Sequence, residues 1–350
     1  MKLGLVVNNI FTEKAGYTTT LIASTAVNMG HEVWYIAIEQ LSYDVTDCVY
    51  AKAIKMPEHK CTSRVAFLKM LTSENLVAQR VTLDELDILW LRNDPAEDVF
   101  TRPWAAHAGI NFGRLAMRHG VLVINDPVGL SEAVNKTYLQ YFPEEVRPRA
   151  IITRDGDDIK HFIAQEGGYA VLKPLSGSGG HNVFIIQPGT SVNTNQIIEA
   201  ICQEGYVIAQ EYLHDAQHGD TRLFMINGKP LCYKNKIAAI HRARQIGDVD
   251  MRSNMRTGAL AKKAQVTPEM MEVAEIVRPK LTLDGLFFVG LDIVGNKLME
   301  INVFSPGGLK SSEEFEKAKF SQEIVYALEK KVGYIRHYNR HFDNAEMAML

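Results

Sequence analysis

The chain has 350 residues, 46% of them hydrophobic and 23% charged, with a formal net charge of −3. That is an ordinary balance for a globular protein of two or three domains. So weak a charge gives no electrostatic basis for bulk binding to nucleic acid or to a membrane surface, and no apolar run approaches bilayer-spanning length.

Taken in order, KLGLVV (2–7) reads as a buried strand of parallel type and not as part of a signal peptide, because no long apolar core or small-residue cleavage site follows. TTTLIASTAVNMG (18–30) reads as a helix closed by Gly30, and HEVWYIAI (31–38) as the next strand. LDILWL (86–91), a helix near 105–119 and VLVIN (121–125) continue a doubly wound parallel sheet. Pro127 and Gly129 then break the pattern. A helix is expected near 131–141, a strand at 149–153, helices near 156–166 and 192–204, and strands in YAVLKP, HNVFIIQ and YVIAQEYL. Asn227-Gly228 between apolar runs signals a tight hairpin, and a second hairpin is expected over 286–304. Thr267 and Pro268 open a helix over 267–281, and 313–331 reads as the last long helix. The polar end, from 336 on, is expected to be loosely held. Cys48, Cys61, Cys202 and Cys232 form no C-x-x-C pair and read as free thiols of a cytoplasmic protein.

Two stretches carry chemistry. In VLKPLSGSGGHNVF (171–184), Lys173 precedes a glycine-rich loop that leads into a strand. A Walker A loop has its lysine after the glycines, and both it and a dinucleotide fingerprint open a helix, so neither fits. The remaining geometry is a hairpin whose tip, including Ser178, Gly179 and Gly180, offers backbone N–H groups to phosphates while Lys173 projects towards a nucleotide. In LDIVGNKLMEIN, Glu300 and Asn302 are two apart and share a strand face. An odd-length loop or a bulge around 294–296 would put Asp292 on that face, diagonal to Glu300; a two-residue loop would not. Three oxygen donors on one face suit Mg²⁺ shared with phosphates.

With these residues the chain resembles the ATP-grasp superfamily and, more closely, prokaryotic-type glutathione synthetase. LRNDP (91–95), INDP (124–127), VNK (134–136), LKPLSGSGG (172–180), AQEYL (209–213), GDTR (219–222), RSN (252–254) and FVGLDIVGNKLMEINVFSP (288–306) occur in the family's order. The resemblance implies an N-terminal α/β substrate-binding domain (1–127), an ATP-grasp small lobe with the glycine-rich hairpin (128–213) and a large lobe with metal site and lid (214–350). It implies that Lys136 and Lys173 bind ATP phosphates, and that Gln210, Glu211, Tyr212 and Leu213 form the adenine hinge. Asp220 lies near the nucleotide, Arg222 steadies the acyl phosphate, and Asp292, Glu300 and Asn302 hold Mg²⁺, which Mn²⁺ could replace. Arg92 and Ser305 meet a peptide substrate. The implied reaction joins γ-glutamylcysteine and glycine through an acyl phosphate in a homo-oligomer, with small molecules as the only substrates.

Two stretches depart from the family. The lid (252–263) has one glycine where the family's is glycine-rich, and Arg242, Arg244, Arg252 and Arg256 make its surroundings basic; Arg252 is the expected catalytic member. Ser305-Pro306 is followed by Gly307-Gly308, not the usual threonine. A ligase for another peptide or amino-acid pair, as on a natural product or a protein tail, and a nucleotide-binding module without catalysis are the alternatives. His337 and His341, four apart, lack a third ligand nearby and read as a surface pair, and Met270 and Met271 as core.

Overall fold

A computed structural model describes residues 1–58, 60–73, 75–175, 182–189, 193–243, 260–338 and 342–350. Ser178, Gly179, Gly180, Arg252, His341 and most of the basic loop lie outside these residues.

Strands β1 (Lys2–Val7), β2 (Glu32–Ala37), β3 (Leu41–Tyr43), β4 (Val49–Lys55), β5 (Gln79–Thr82), β6 (Ile88–Leu91) and β7 (Leu122–Ile124) form one sheet in the order β3-β4-β2-β1-β6-β7, with β5 on β4. β2, β1, β6 and β7 run parallel, as their continuous apolar runs require when both faces are covered. β3, β4 and β5 extend the sheet antiparallel, a portion the sequence reading did not anticipate. Helices α1 (Thr18–Asn28), α2 (Arg64–Leu71), α3 (Pro95–Asp98) and α4 (Ala108–Arg118) belong to this unit.

The expected helix at 131–141 is two pieces. α5 (Pro127–Glu132) is capped by the Asp126 side chain, and a 3₁₀ segment at Lys136–Tyr141 starts where the Asn135 side chain accepts from Thr137 N. Two capping residues nine apart leave no room for one continuous helix. Next, β8 (Ala150–Thr153), β9 (Ala170–Pro174), β10 (Phe184–Ile186) and β11 (Val207–Gln210) form an antiparallel sheet covered by α6 (Gly156–Gln165) and α7 (Thr194–Gln203). This lobe has a core of its own, built on Phe162, Leu172 and Val207.

The third sheet holds β12 (Asp220–Ile226), β13 (Lys229–Pro230), β16 (Ala239–Ala243), β17 (Leu260–Lys263), β18 (Phe288–Val294) and β19 (Lys297–Asn302), with a small β14 (Cys232–Tyr233) and β15 (Lys236–Ile237) ribbon beside it. Asn227 and Gly228 both take positive φ, as the expected β12–β13 turn requires. Its apolar residues merge with those of the first sheet: Trp90 meets Phe287 and Phe288 edge-on, and Asn125 bonds Phe288 N, Phe288 O and Val303 O. The N-terminal unit and the third sheet are therefore one packed body, while the 150–210 lobe rests on them.

α8 (Pro268–Leu283) starts at Thr267 as expected. The last long helix is split into α9 (Leu309–Glu316) and α10 (Phe320–Tyr338), because Lys317 adopts a left-handed conformation and Glu313 turns back to accept from Ser321 N and Oγ. The tail is not loose: α11 (Asn344–Met349) is closed by an Asp343/Glu346 capping box, buries Met347 and bonds Val123 and Asp126 through Asn344. Among the described residues no helix is long and apolar enough to cross a membrane.

Lys331 of α10 is fully buried, donating to Asn227 Oδ1 at 2.8 Å with its Nζ 4.7 Å from the Phe287 ring centroid. Burial pushes its amine down to about 7 from 10.5. Below pH 7 the ammonium persists in folded and unfolded chains and the cost of burying it is undiminished. Between about 7 and 10.5 the unfolded chain binds more protons, so this group makes stability rise with pH. The melting temperature of wild type relative to Lys331→Met should therefore climb from pH 7 to pH 10; a pH-independent difference would contradict this.

Candidate active site

The site is built on the β18–β19 hairpin. Gly295 and Asn296 make a two-residue turn, Val294 facing Lys297 and Ile293 facing Leu298, with Gly295 at φ +58°. By itself that register would oppose Asp292 to Met299 and turn Glu300 to the other face. A bulge at Met299 shifts it, so that Asp292 faces Glu300 directly. The irregularity thus lies on β19, beyond the expected 294–296, and the two carboxylates are opposite each other and not diagonal. Asn302 pairs with Gly290, two residues along the same face.

β12 lies on the other side of β18 and places Arg222 beside Asp292. Arg222 Nε and Nη2 each donate to Asp292 at 2.7 Å, a bidentate pair. From β16, Arg242 donates to Asp292 Oδ2 and Asp220 Oδ1, both at 2.6 Å, and Asn302 Nδ2 reaches Asp292 Oδ2 at 3.1 Å. All four charged residues are buried. Burial raises the Asp292 carboxyl, but the Arg222 and Arg242 charges outweigh it and hold it below its usual range. Burial likewise opposes the charge on Arg242, and Asp292 and Asp220 more than restore it. Two glycines make this packing feasible. A Cβ on Gly219 (φ +106°) would lie 2.1 Å from Arg242 O, and one on Gly290 would lie 3.2 Å from Arg222 Cδ and 2.9 Å from Pro306 Cβ.

Opposite stands the lysine side. Lys173 projects from β9, and Lys136 donates to Pro174 O at 3.0 Å and, through its backbone, to Leu175 O. Burial brings Lys173 down to about 8, with Glu300 opposing the shift and Lys136 adding to it. Lys136 is also lowered by burial, against Glu300. Gln210 ends β11 fully buried, and Glu211, Tyr212 and Leu213 follow in extended chain. Tyr212 stacks on Tyr169, while Glu211 accepts from Arg149 N and Nε, so its side chain is engaged along the strand edge.

Two cavities meet here. A narrow one of about 110 Å³ lies between Lys136, Lys173 and β19, and a wide one of about 570 Å³ runs to the N-terminal unit. Asp94, Glu300, Asn302 and Ser305 line both. Arg92 lines the wide one; it bonds Thr19 Oγ1 and Phe304 O, and its Nη2 is buried without a hydrogen-bond partner among the described residues.

Residues 1–131 match the model of the prokaryotic glutathione synthetase N-terminal domain, and residues 135–317 match that of its ATP-grasp domain. The chain belongs to the prokaryotic glutathione synthetase family. It is similar to a protein named glutathione synthetase in Synechocystis sp., 30% identical across 95% of this chain and 100% of the relative, and to one in Gloeobacter violaceus, 31% identical across 93% and 95%. Among solved structures it resembles the ATP-grasp ligase PsnB complexed with a minimal precursor (TM-score 0.60, 16% identity, 93% and 98% covered) and D-cycloserine synthetase DcsG (0.60, 16%, 93% and 100%). These two likenesses establish the ATP-grasp fold. The chain is thus an ADP-forming ligase that makes an amide bond with ATP and Mg²⁺. The family's two domain models part between residues 131 and 135.

The donor set fits a hard cation. Glu300 is exposed to both cavities with no hydrogen bond or ion pair among the described residues, and Asn302 stands beside it. Asp292 is the least available of the three expected ligands, since its oxygens already face two arginines and Asn302. Bound Mg²⁺ would supply positive charge to phosphate oxygens at Glu300 and Asn302. Arg242, expected among the basic surroundings of the lid, is a strand residue of β16. Its signal was an arginine inside the apolar run AAIHRA, in register with Asp220.

Arg242→Met would remove a guanidinium that Asp220 and Asp292 share, and removing one partner of a buried ionic cluster costs about 3–5 kcal/mol. A matching drop in the denaturation free energy together with lost ADP release is expected; an unchanged stability would show the cluster to be dispensable. Separately, ATP phosphates should raise Lys173 above its free value of about 8. Nucleotide binding at pH 8.5 should therefore take up a proton, read as buffer-dependent calorimetric enthalpy, and this uptake should vanish in Lys173→Met.

Proposed function

We propose that the protein condenses γ-glutamylcysteine with glycine to form glutathione, by way of an acyl phosphate. The observation that carries this reading is the meeting of the two cavities at Glu300 and Asn302, with lysines on the narrow side and the arginine cluster on the wide side. A phosphoryl donor in the first and a carboxylate in the second would approach at that boundary. Lys136 and Lys173 hold the phosphates, Ser178, Gly179 and Gly180, which lie outside the described residues, are assigned to the same phosphates, and Gln210 to Leu213 take the adenine. The substrate carboxylate oxygen bonds to the γ-phosphorus as the bond to the β–γ bridging oxygen breaks, releasing ADP. Arg222, fixed by Asp292, faces the charge that develops on the acyl phosphate, and Arg252, outside the described residues, is the lid residue assigned to the same step. The amine then attacks the acyl carbon, phosphate leaves, and the amine proton passes to solvent or phosphate. Asp220 keeps Arg242 in place, and Ser305 and Arg92 hold the peptide.

Gly307 and Gly308 line the wide cavity where the resembled family more usually places a threonine side chain. That vacancy favours, as a second reading, a ligase whose acid or amine is bulkier. We place the protein in the cytoplasm, in keeping with its four free cysteines, and read it as a homo-oligomer, which light scattering would test.

With Mg-ATP and γ-glutamylcysteine, ADP release and a product of glutathione mass should both depend on glycine. Glycine-independent ADP without that product, or turnover only with another acid–amine pair, would replace this reading with the second.

A further inference from the structure

Glu13 lies in the wide cavity, in the segment that leads into α1. Its Oε2 accepts from Thr20 Oγ1 at 2.9 Å, and it has no other hydrogen bond among the described residues. Arg92 bonds the preceding residue, Thr19, through Nε at 3.2 Å. Two consecutive threonines therefore hold a carboxyl and a guanidinium side by side. The two groups feel each other's charge, yet they form no ion pair within 4.0 Å. Each keeps an open valence, the Arg92 Nη2 protons and one Glu13 oxygen. The N-terminus of α1 opens at the same place: Tyr17 provides no side-chain cap, and the buried Thr18 Oγ1 has no hydrogen-bond partner among the described residues. An uncapped helix start and an unpartnered guanidinium both ask for an anion, while the carboxyl beside them asks for a cation. A single small ligand meets both demands if it is a zwitterion.

We propose that Glu13 and Arg92 clamp a free α-amino-acid head on the acyl donor, Glu13 receiving its ammonium and Arg92 with the start of α1 its carboxylate. This rests on reading the wide cavity as the donor's site, and it makes Glu13 a specificity-determining residue. The ionisation of Glu13 agrees with the geometry. Burial pushes it up to about 7, with Thr20 and Arg92 opposing and Glu97 adding, so its charge is costly until a cation arrives. Any donor that ends in an uncharged group there leaves the Glu13 and Arg92 charges without a counter-charge, which penalises it. Glu13 and Arg92 line the same cavity as Glu300 and Asn302, and with the head carboxylate held by Arg92 the carboxylate that reacts is the donor's other one.

The test is a ratio. Calorimetric affinity is measured for γ-glutamylcysteine and for its deaminated analogue, glutarylcysteine, on the wild type, Glu13→Gln and Glu13→Asp. The wild type should prefer the ammonium-bearing donor by tenfold or more. Glu13→Gln should bring the ratio close to one, and Glu13→Asp should fall between. Because each ratio is internal to one protein, a general loss of stability does not imitate the result. A ratio near one in the wild type, or one unchanged in Glu13→Gln, overturns the clamp, as does failure of the wild type to bind either compound. Turnover is read separately: selective binding without glycine-dependent product refutes the proposed reaction and leaves the clamp standing.

Discussion

One buried carboxylate organises this site. Asp292 lies at the centre of the third sheet, 1% exposed, and is tolerable there only because Arg222 and Arg242 reach it from two different strands. The demand runs outward. Arg222 needs the space left by Gly290, Arg242 needs Asp220, and Asp220 needs the close strand approach that Gly219 permits. The bulge at Met299 then turns Glu300 to the same side, leaving it as the open carboxylate of a face whose other charges are already paired. The chemistry is divided accordingly: a satisfied cluster that stays rigid, and one acid free to meet a cation.

Packing explains how such a face can meet a nucleotide. The N-terminal unit and the third sheet share apolar clusters and are tied through Asn125 and the Trp90 ring, so the wide cavity between them is held in shape. The 150–210 lobe has a separate core and brings Lys173 to the cavity mouth. A lobe with its own core can shift without disturbing the cluster around Asp292, which is what a site that must admit ATP and then exclude water requires.

Much of this was legible in the linear order of residues. The parallel strands, the Asn227-Gly228 turn and the Thr267 cap announced themselves through local rules of apolar runs, turn chemistry and capping. So did the pairing of a lysine before a glycine-rich hairpin with a late acidic hairpin. The misreadings have local causes as well. Asn135 and Lys317 interrupt helices that periodicity alone would continue, and the polar tail is ordered by the Asn344 bonds to Val123, more than two hundred residues away. Glu13 escaped notice because nothing within EKAGYTTT marks a carboxyl that will face Arg92.

Most of the elements, the fold family and the residue types available for phosphate, metal and carboxylate were already set in the sequence, because each follows from patterns only a few residues long. Which acids are paired and which are open was decided only in three dimensions. Asp292 and Glu300 look equivalent in LDIVGNKLMEIN, yet one is enclosed by two arginines and the other faces solvent. That difference rests on a one-residue bulge and on strands contributed from seventy and fifty residues away, and pairing between distant strands is set by the whole packed sheet.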